Sequence, residues 1–319
     1  MNDLTEHILV TGGCGFIGSN IVKKLISDGH YITVVDDLSS GSKEYIQEYL
    51  DEKNCQLIES SIVDFESLEK IMEGIDVVIH EAANPDVRAS KDNLFKDFEI
   101  NVKGTLNVLQ AMVKNEVPKI IFASSGGTVY GETDQIPTPE NHSLAPISHY
   151  GASKAACEQY LSSFSSLYDI EAYSLRLGNI YGPPSNHGVM YDFFWKLKKN
   201  PTTLEILGNG KQEKSYLYVD DCVEAHMLAL TTSIQKFMIF NIASVEGTTV
   251  NEIAAEVIKA MDLKEVQLRY TGGERGWEGD VKRAVVDISK AQKILHWSPH
   301  TKIAEGIQRY ISWLSEKYT

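Results

Sequence analysis

The chain has 319 residues, 43% of them apolar and 23% charged, an ordinary balance for a globular protein of one large or two moderate domains. A net charge of −14 opposes general nucleic-acid binding, because phosphate contacts need a basic face, and no apolar run approaches the roughly 18 residues of a membrane span. The N-terminal residues 1–6 carry no basic-then-apolar signal, and Cys14, Cys55, Cys157 and Cys222 are scattered without a C-x-x-C pair, which speaks against a zinc site or disulfide framework and sets the expectation of a cytoplasmic protein with reduced thiols.

The first half alternates short apolar runs with helical patterns, the signature of a parallel sheet with crossover helices. A strand at His7–Val10 runs into Thr11-Gly12-Gly13-Cys14-Gly15-Phe16-Ile17-Gly18, with a helix over Gly15–Ser27. Glycines at such a strand-to-helix turn let the backbone approach a pyrophosphate, and the helix N-terminus faces the anion. The next strand, Ile32–Val35, is followed by Asp36, about 20 residues past the turn, where a carboxylate accepts bonds from both ribose hydroxyls of a dinucleotide. A 2′-phosphate would be repelled there, so NAD is favoured over NADP.

Further strands are expected at Gln56–Ile58, Val77–His80, Lys119–Ala123 and Ala172–Arg176, and helices at Glu66–Met72, Lys91–Lys114 and Ser148–Tyr168. In the helix over 91–114, Leu94, Phe98, Val102, Leu106 and Leu109 form a stripe at helical spacing suited to burial. The strand at 119–123 leads into Ser124-Ser125-Gly126-Gly127-Thr128-Val129-Tyr130-Gly131, at the carboxyl edge where open α/β sheets bind ligands. A hydroxyl there can hydrogen-bond a reacting oxygen.

Tyr150 and Lys154 stand four apart on the next helix and project from one face. A free tyrosine, with a pKa of about 10, is a poor base at neutral pH. A lysine ammonium at about 5 Å contributes about 3 kcal/mol at an effective dielectric near 20, or roughly two pK units toward the phenolate, and oxidised nicotinamide would add a second positive charge. Past Gly178 glycine, proline and polar residues become frequent, and a smaller, irregular region is expected. Strands at Leu217–Val219 and Phe237–Ile242 return the chain to the first domain near 216–243. The expected division is therefore 1–178, with those returning segments, and 179–319.

As a set these residues resemble the extended short-chain dehydrogenase/reductase family, and within it the nucleotide-sugar 4-epimerases. The resemblance spans essentially the whole chain. It rests on the glycine-rich turn, Asp36, His80-Glu81-Ala82-Ala83, Asn101, the serine stretch at 124–131, Tyr150 to Lys154, Arg176 to Pro183, Tyr216 to Asp221 and Asp287 to Lys290. It implies an α/β protein, a Rossmann-like doubly wound parallel sheet with a smaller C-terminal domain gripping a UDP-sugar. It places NAD against Gly12, Gly15, Phe16, Ile17, Gly18, Asp36, Ile62, Ala82, Ala83, Asn101, Tyr150 and Lys154. It also implies a homodimer through a four-helix bundle of the helices at 91–114 and 148–168, and no metal.

The mechanism implied is a transient oxidation at C4 of the sugar, with Tyr150 as base and a 4-keto sugar that turns over in its pocket before the hydride returns. Asn179 is assigned to the diphosphate site with Lys214 and Arg275 as cations. Where the family has its catalytic Ser or Thr, this chain has Gly126, so the role passes to Ser125, with Thr128 in reserve. The usual Arg-Asp pair is Lys214-Ser215, which loses guanidinium geometry, and Ser61 replaces the acid ahead of Ile62. Counting back from Asp287, Ala284 falls where the family's sugar-pocket gatekeeper stands. A side chain this small leaves room for a 2-acetamido group, so UDP-GlcNAc and UDP-GalNAc are the expected pair, with UDP-Glc and UDP-Gal alongside. UDP-glucuronate epimerisation, a reductase or decarboxylase of the same family, and a non-catalytic NAD(H) sensor are the alternatives.

Overall fold

A computed structural model describes residues 5–50, 52–88, 93, 95–233 and 236–319. The start of the helix expected over 91–114, including Leu94, and most of the N-terminal residues 1–6 lie outside the described residues. The chain divides into two compact units, residues 1–125, 148–176 and 223–240 in the first and 126–147, 177–222 and 241–319 in the second.

The first unit is built on the seven-stranded parallel sheet expected from the alternating pattern. Its strands are β1 (His7–Thr11), β2 (Tyr31–Asp36), β3 (Cys55–Glu59), β4 (Val77–His80), β5 (Lys119–Ser125), β6 (Glu171–Leu177) and a late-arriving strand at Phe237–Ile242. From that last strand the order runs β6, β5, β4, β1, β2, β3. β1 lies between β2 and β4, pairing in parallel with each, which explains why Ile8, Leu9 and Val10 are all apolar and all buried. The reversal of strand order beside β1 opens a crevice at the carboxyl ends of β1 and β4.

The crossover helices are α1 (Phe16–Ser27), α2 (Phe65–Ile71), α3 (Gly104–Lys114), α4 (His149–Tyr168) and, later, α6 (Val219–Thr231). α3 and α4 turn Val108, Leu109, Met112, Cys157 and Leu161 into a core shared with Leu9, Val78, Ile120 and Phe122 of the sheet. Each such aliphatic side chain contributes about 1.5–3 kcal/mol on burial.

One expected stripe needs correction. Residues Phe98–Lys103 form a π-helical turn that leads into α3, instead of one continuous α-helix. The wider turn changes the phase, so Val102 and Leu109 are buried and Leu106 partly so, while Phe98 is 54% exposed. π-turns of this kind concentrate at functional sites, and this one contains Asn101.

The second unit is more regular than the glycine- and proline-rich texture suggests. It holds β7 (Asn179–Tyr181), α5 (Val189–Lys199), β8 (Thr203–Ile206), β9 (Glu213–Lys214) and β10 (Tyr216–Tyr218). With the strand at Phe237–Ile242 counted as β11, there follow β12 (Thr248–Thr249), α7 (Val250–Ala260), β13 (Gln267–Tyr270), β14 (Arg283–Ala284), α8 (Ser289–Ile294) and α9 (Ile303–Lys317). Three small sheets result, β10-β7, β12-β9-β14 and β13-β8. Each contains a pairing made across tens of residues, invisible to local periodicity. No helix among the described residues is long and apolar enough to cross a membrane.

Candidate active site

The glycine-rich turn occupies the carboxyl end of β1. Gly12 sits at φ +71°, donates its N–H to Val35 O at 2.8 Å, and lies so close to the chain after β4 that a Cβ would come within 2.7 Å of Ala82 N. A Cβ on Gly18 would fall 2.2 Å from Gly12 O. α1 begins after Gly15 with no side-chain cap, and its first turn, with Phe16 and Ile17, forms the positive end of the helix.

At the end of β2, Asp36 is buried, with Oδ2 accepting from Cys14 N and Oδ1 from Leu38 N, each at 2.9 Å. Burial pushes its carboxyl above the ordinary range, and the two backbone N–H groups pull it back. Each oxygen keeps a lone pair for a further donor. Ile62 is buried in the core that also holds Val35.

After β4, His80 is fully buried and links the turn to α3. Ala82 N donates to Thr11 Oγ1 at 3.3 Å; Thr11 Oγ1 and His80 Nδ1 are 2.6 Å apart, and His80 Nε2 lies 3.0 Å from Thr105 Oγ1. Desolvation, with Lys154 nearby, drops the His80 pKa to about 3, so the ring stays neutral and acts as a spacer. Asn101 binds Asn84 N through Oδ1 and donates Nδ2 to Ser153 Oγ, each at 2.8 Å; Ser153 Oγ in turn donates to Tyr150 O at 2.7 Å.

Tyr150 and Lys154 project from the first turns of α4, whose N-cap Ser148 accepts from Gly151 N. The Lys154 ammonium is buried, donates to Ala123 O at 2.7 Å, and stands 4.7 Å from the Phe122 ring centroid and 6.0 Å from that of Tyr150. Here the electrostatics differ from the simple lysine–tyrosine estimate. Desolvation, followed by the carboxylates of Asp97 and Glu81, pushes the Tyr150 phenol upward, while desolvation lowers Lys154.

Ser125 ends β5 half-buried, whereas its neighbour Ser124 is buried with its hydroxyl on Glu158. Thr128, in the second unit, has its Oγ1 buried with no hydrogen-bond partner among the described residues.

The second unit brings three of the remaining expected residues together. Asn179 N donates to Ser215 O at 2.8 Å, Ser215 N donates to Ala284 O at 3.0 Å, and Ala284 stands in register with Lys214 across β14 and β9. Lys214 is ion-paired with the buried Asp280. Arg275 pairs with Glu132 at 2.8 Å on a more exposed surface, so the two expected cations are held by different acids. Sequence reasoning missed Asp280 and Glu158, and named Arg176 only as part of a motif, with no role. Glu158 was within reach, since it follows Lys154 by one more helical turn.

Comparison with known proteins places this geometry. Residues 8–243 match the model of the NAD dependent epimerase/dehydratase family. The chain belongs to that family. Its cofactor is NAD, and the uncapped α1 terminus, the close glycine turn and the Asp36 carboxylate fit that dinucleotide. The chain is 32% identical over 316 residues to the UDP-glucose 4-epimerase of Mycolicibacterium smegmatis, covering 97% of this chain and 98% of the relative. The structure of the UDP-glucose 4-epimerase of Thermotoga maritima with UDP-glucose superposes with a TM-score of 0.89 at 34% identity, covering 98% of this chain and all of that one. The UDP-N-acetylglucosamine 4-epimerase of Methanobrevibacter ruminantium gives 0.89 at 30% identity, covering 98% and 99%.

The close fit of the turn makes a direct test of the cofactor site. Denaturing the purified protein is expected to release NAD and not NADP, and Gly18→Ala to release much less of it, because its Cβ would drive against Gly12 O. NADP as the main nucleotide would contradict the Asp36 assignment.

Proposed function

We propose that this chain is a UDP-hexose 4-epimerase whose main pair is UDP-GlcNAc and UDP-GalNAc, with UDP-Glc and UDP-Gal turned over alongside. The observation that carries the activity is the joining of α4 to β5: Lys154, one turn beyond Tyr150, reaches the backbone of β5 two residues before Ser125. Likeness to epimerases of both sugar types supports the reaction class, and Ala284 supports the N-acetylated pair.

In this reading Tyr150 takes the proton from the sugar C4 hydroxyl and later gives it back. Ser125 donates a hydrogen bond to the C4 oxygen, with Thr128 as the alternative hydroxyl. Lys154 orients Tyr150 and the nicotinamide ribose, and Asn179, Lys214 and Arg275 receive the diphosphate in the second, substrate-holding unit. NAD, which the turn at 12–18, Asp36 and Lys154 would hold, would supply a reversible hydride acceptor for C4 and, when oxidised, a positive charge beside Tyr150. Gly127 and Thr128 stand where a dehydratase of this family would carry an acid pair. Phe95 and Phe98, which precede α3, and Tyr160, Leu167 and Tyr168 of α4 are exposed, consistent with pairing of two copies through the segments at 91–114 and 148–168.

Incubation with UDP-GlcNAc, UDP-Glc and UDP-glucuronate side by side tests the proposal. The expected result is C4 epimer from UDP-GlcNAc, and from UDP-Glc, with no net NADH. Net NADH, loss of carbon dioxide from UDP-glucuronate, or binding without turnover would each point to a different function.

A further inference from the structure

The proposed catalytic groups sit on two elements, β5 and α4, and two buried contacts lock one to the other. Side chains one helical turn apart on α4 grip consecutive residues of β5. Lys154 Nζ donates to Ala123 O at 2.7 Å, and Ser124 Oγ donates to Glu158 Oε1 at 2.6 Å. Glu158 is fully buried. Its Oε1 also accepts from Ser174 Oγ at 3.0 Å and Arg176 Nε at 2.9 Å, and its Oε2 accepts from Arg176 Nη2 at 2.6 Å. Arg176, on β6, is itself 2% exposed.

A buried carboxylate and guanidinium lose much solvation, and packed apolar side chains of similar volume often do as well for stability. What the pair supplies here is direction. With Arg176 of β6 bonded to both of its oxygens, Glu158 presents a rigid acceptor to the end of β5. Side chains alternate along a strand, so anchoring Ser124 on the core side sets the backbone from which Ser125 projects to the other side.

We propose that Ser124, held by the Glu158–Arg176 pair, is a positioning residue that sets where the Ser125 hydroxyl stands relative to Tyr150. The inference rests on the reading of Ser125 as the hydroxyl that meets the C4 oxygen. Ser174 provides an internal control: it gives the same carboxylate oxygen the same kind of hydrogen bond, from β6 instead of β5.

The experiment compares Ser124→Ala, Ser174→Ala, Ser125→Ala and the Ser124→Ala/Ser125→Ala double variant in the NAD-loaded enzyme, with UDP-GlcNAc and UDP-Glc as substrates and melting temperature read alongside. Ser124→Ala is expected to lower kcat at least tenfold, with KM within twofold and a melting-temperature loss like that of Ser174→Ala. Ser174→Ala is expected to keep kcat within twofold. In the Ser125→Ala background, Ser124→Ala is expected to add almost nothing, since residues acting through one another are non-additive. Equal kcat losses in the two single variants, no loss in either, or a full extra loss in the double variant would overturn the positioning role. Normal turnover in Ser125→Ala would instead sink the catalytic reading of Ser125.

Discussion

Tyr150→Phe is expected to lower turnover by roughly 10²–10⁴-fold, the usual worth of a positioned general base, with little change in NAD or UDP-sugar binding. The substitution deletes the phenolic oxygen and keeps the ring. The ties that hold the start of α4 do not use that oxygen: Ser148 caps through Gly151 N, Ser153 Oγ bonds the Tyr150 carbonyl, and Lys154 Nζ bonds Ala123 O. Geometry should therefore survive while the base is lost. Product formation measures kcat, and titration of each ligand measures binding. A loss confined to kcat is the signature of a group used only in the transition state. Near-normal turnover would place the base elsewhere.

The sheet and the cofactor turn were legible in the sequence because both are written locally. A buried parallel strand is a continuous apolar run, and a glycine-rich turn followed by an amphipathic helix is punctuation that survives without tertiary context. The placement of Tyr150 and Lys154 on one helix was legible for the same reason, since one helical turn separates them. What escaped was whatever depends on distant partners. The Lys214–Asp280 pair spans 66 positions, so a cation assigned to a diphosphate from its motif turns out to sit on a buried acid. The Glu158–Arg176 pair joins a helix to the strand after it, and nothing in either segment marks the two as neighbours. Phe98 went wrong through a change of local period: the α spacing that put it on the buried stripe fails across the π-turn at 98–103. The expectation for Tyr150 counted the positive charges of the lysine and the nicotinamide and missed the desolvation and the acids around it.

Ala284→Tyr is expected to abolish interconversion of UDP-GlcNAc and UDP-GalNAc, by at least about 10²-fold, while sparing turnover of UDP-Glc. Steric discrimination of this size is within what pocket shape can deliver for one added bulky group. The backbone at this position is fixed from both sides: Ala284 O accepts from Ser215 N at 3.0 Å, the strand pairs in register with Lys214, and the next residue's carbonyl accepts from Thr138 N at 2.9 Å. A larger side chain therefore cannot be relieved by moving the strand. It must occupy space beside Lys214, the place that the proposed function gives to a 2-acetamido group. Overpacking of a half-buried site costs about 1–3 kcal/mol, so the melting temperature has to be followed to separate instability from exclusion. The informative quantity is the ratio of kcat/KM for the two sugar pairs, which global destabilisation leaves unchanged. A ratio shifted strongly toward UDP-Glc marks Ala284 as the residue that admits the N-acetyl group. Equal loss on both pairs, or loss on neither, would remove Ala284 from the sugar pocket and leave the choice of UDP-GlcNAc without its main support.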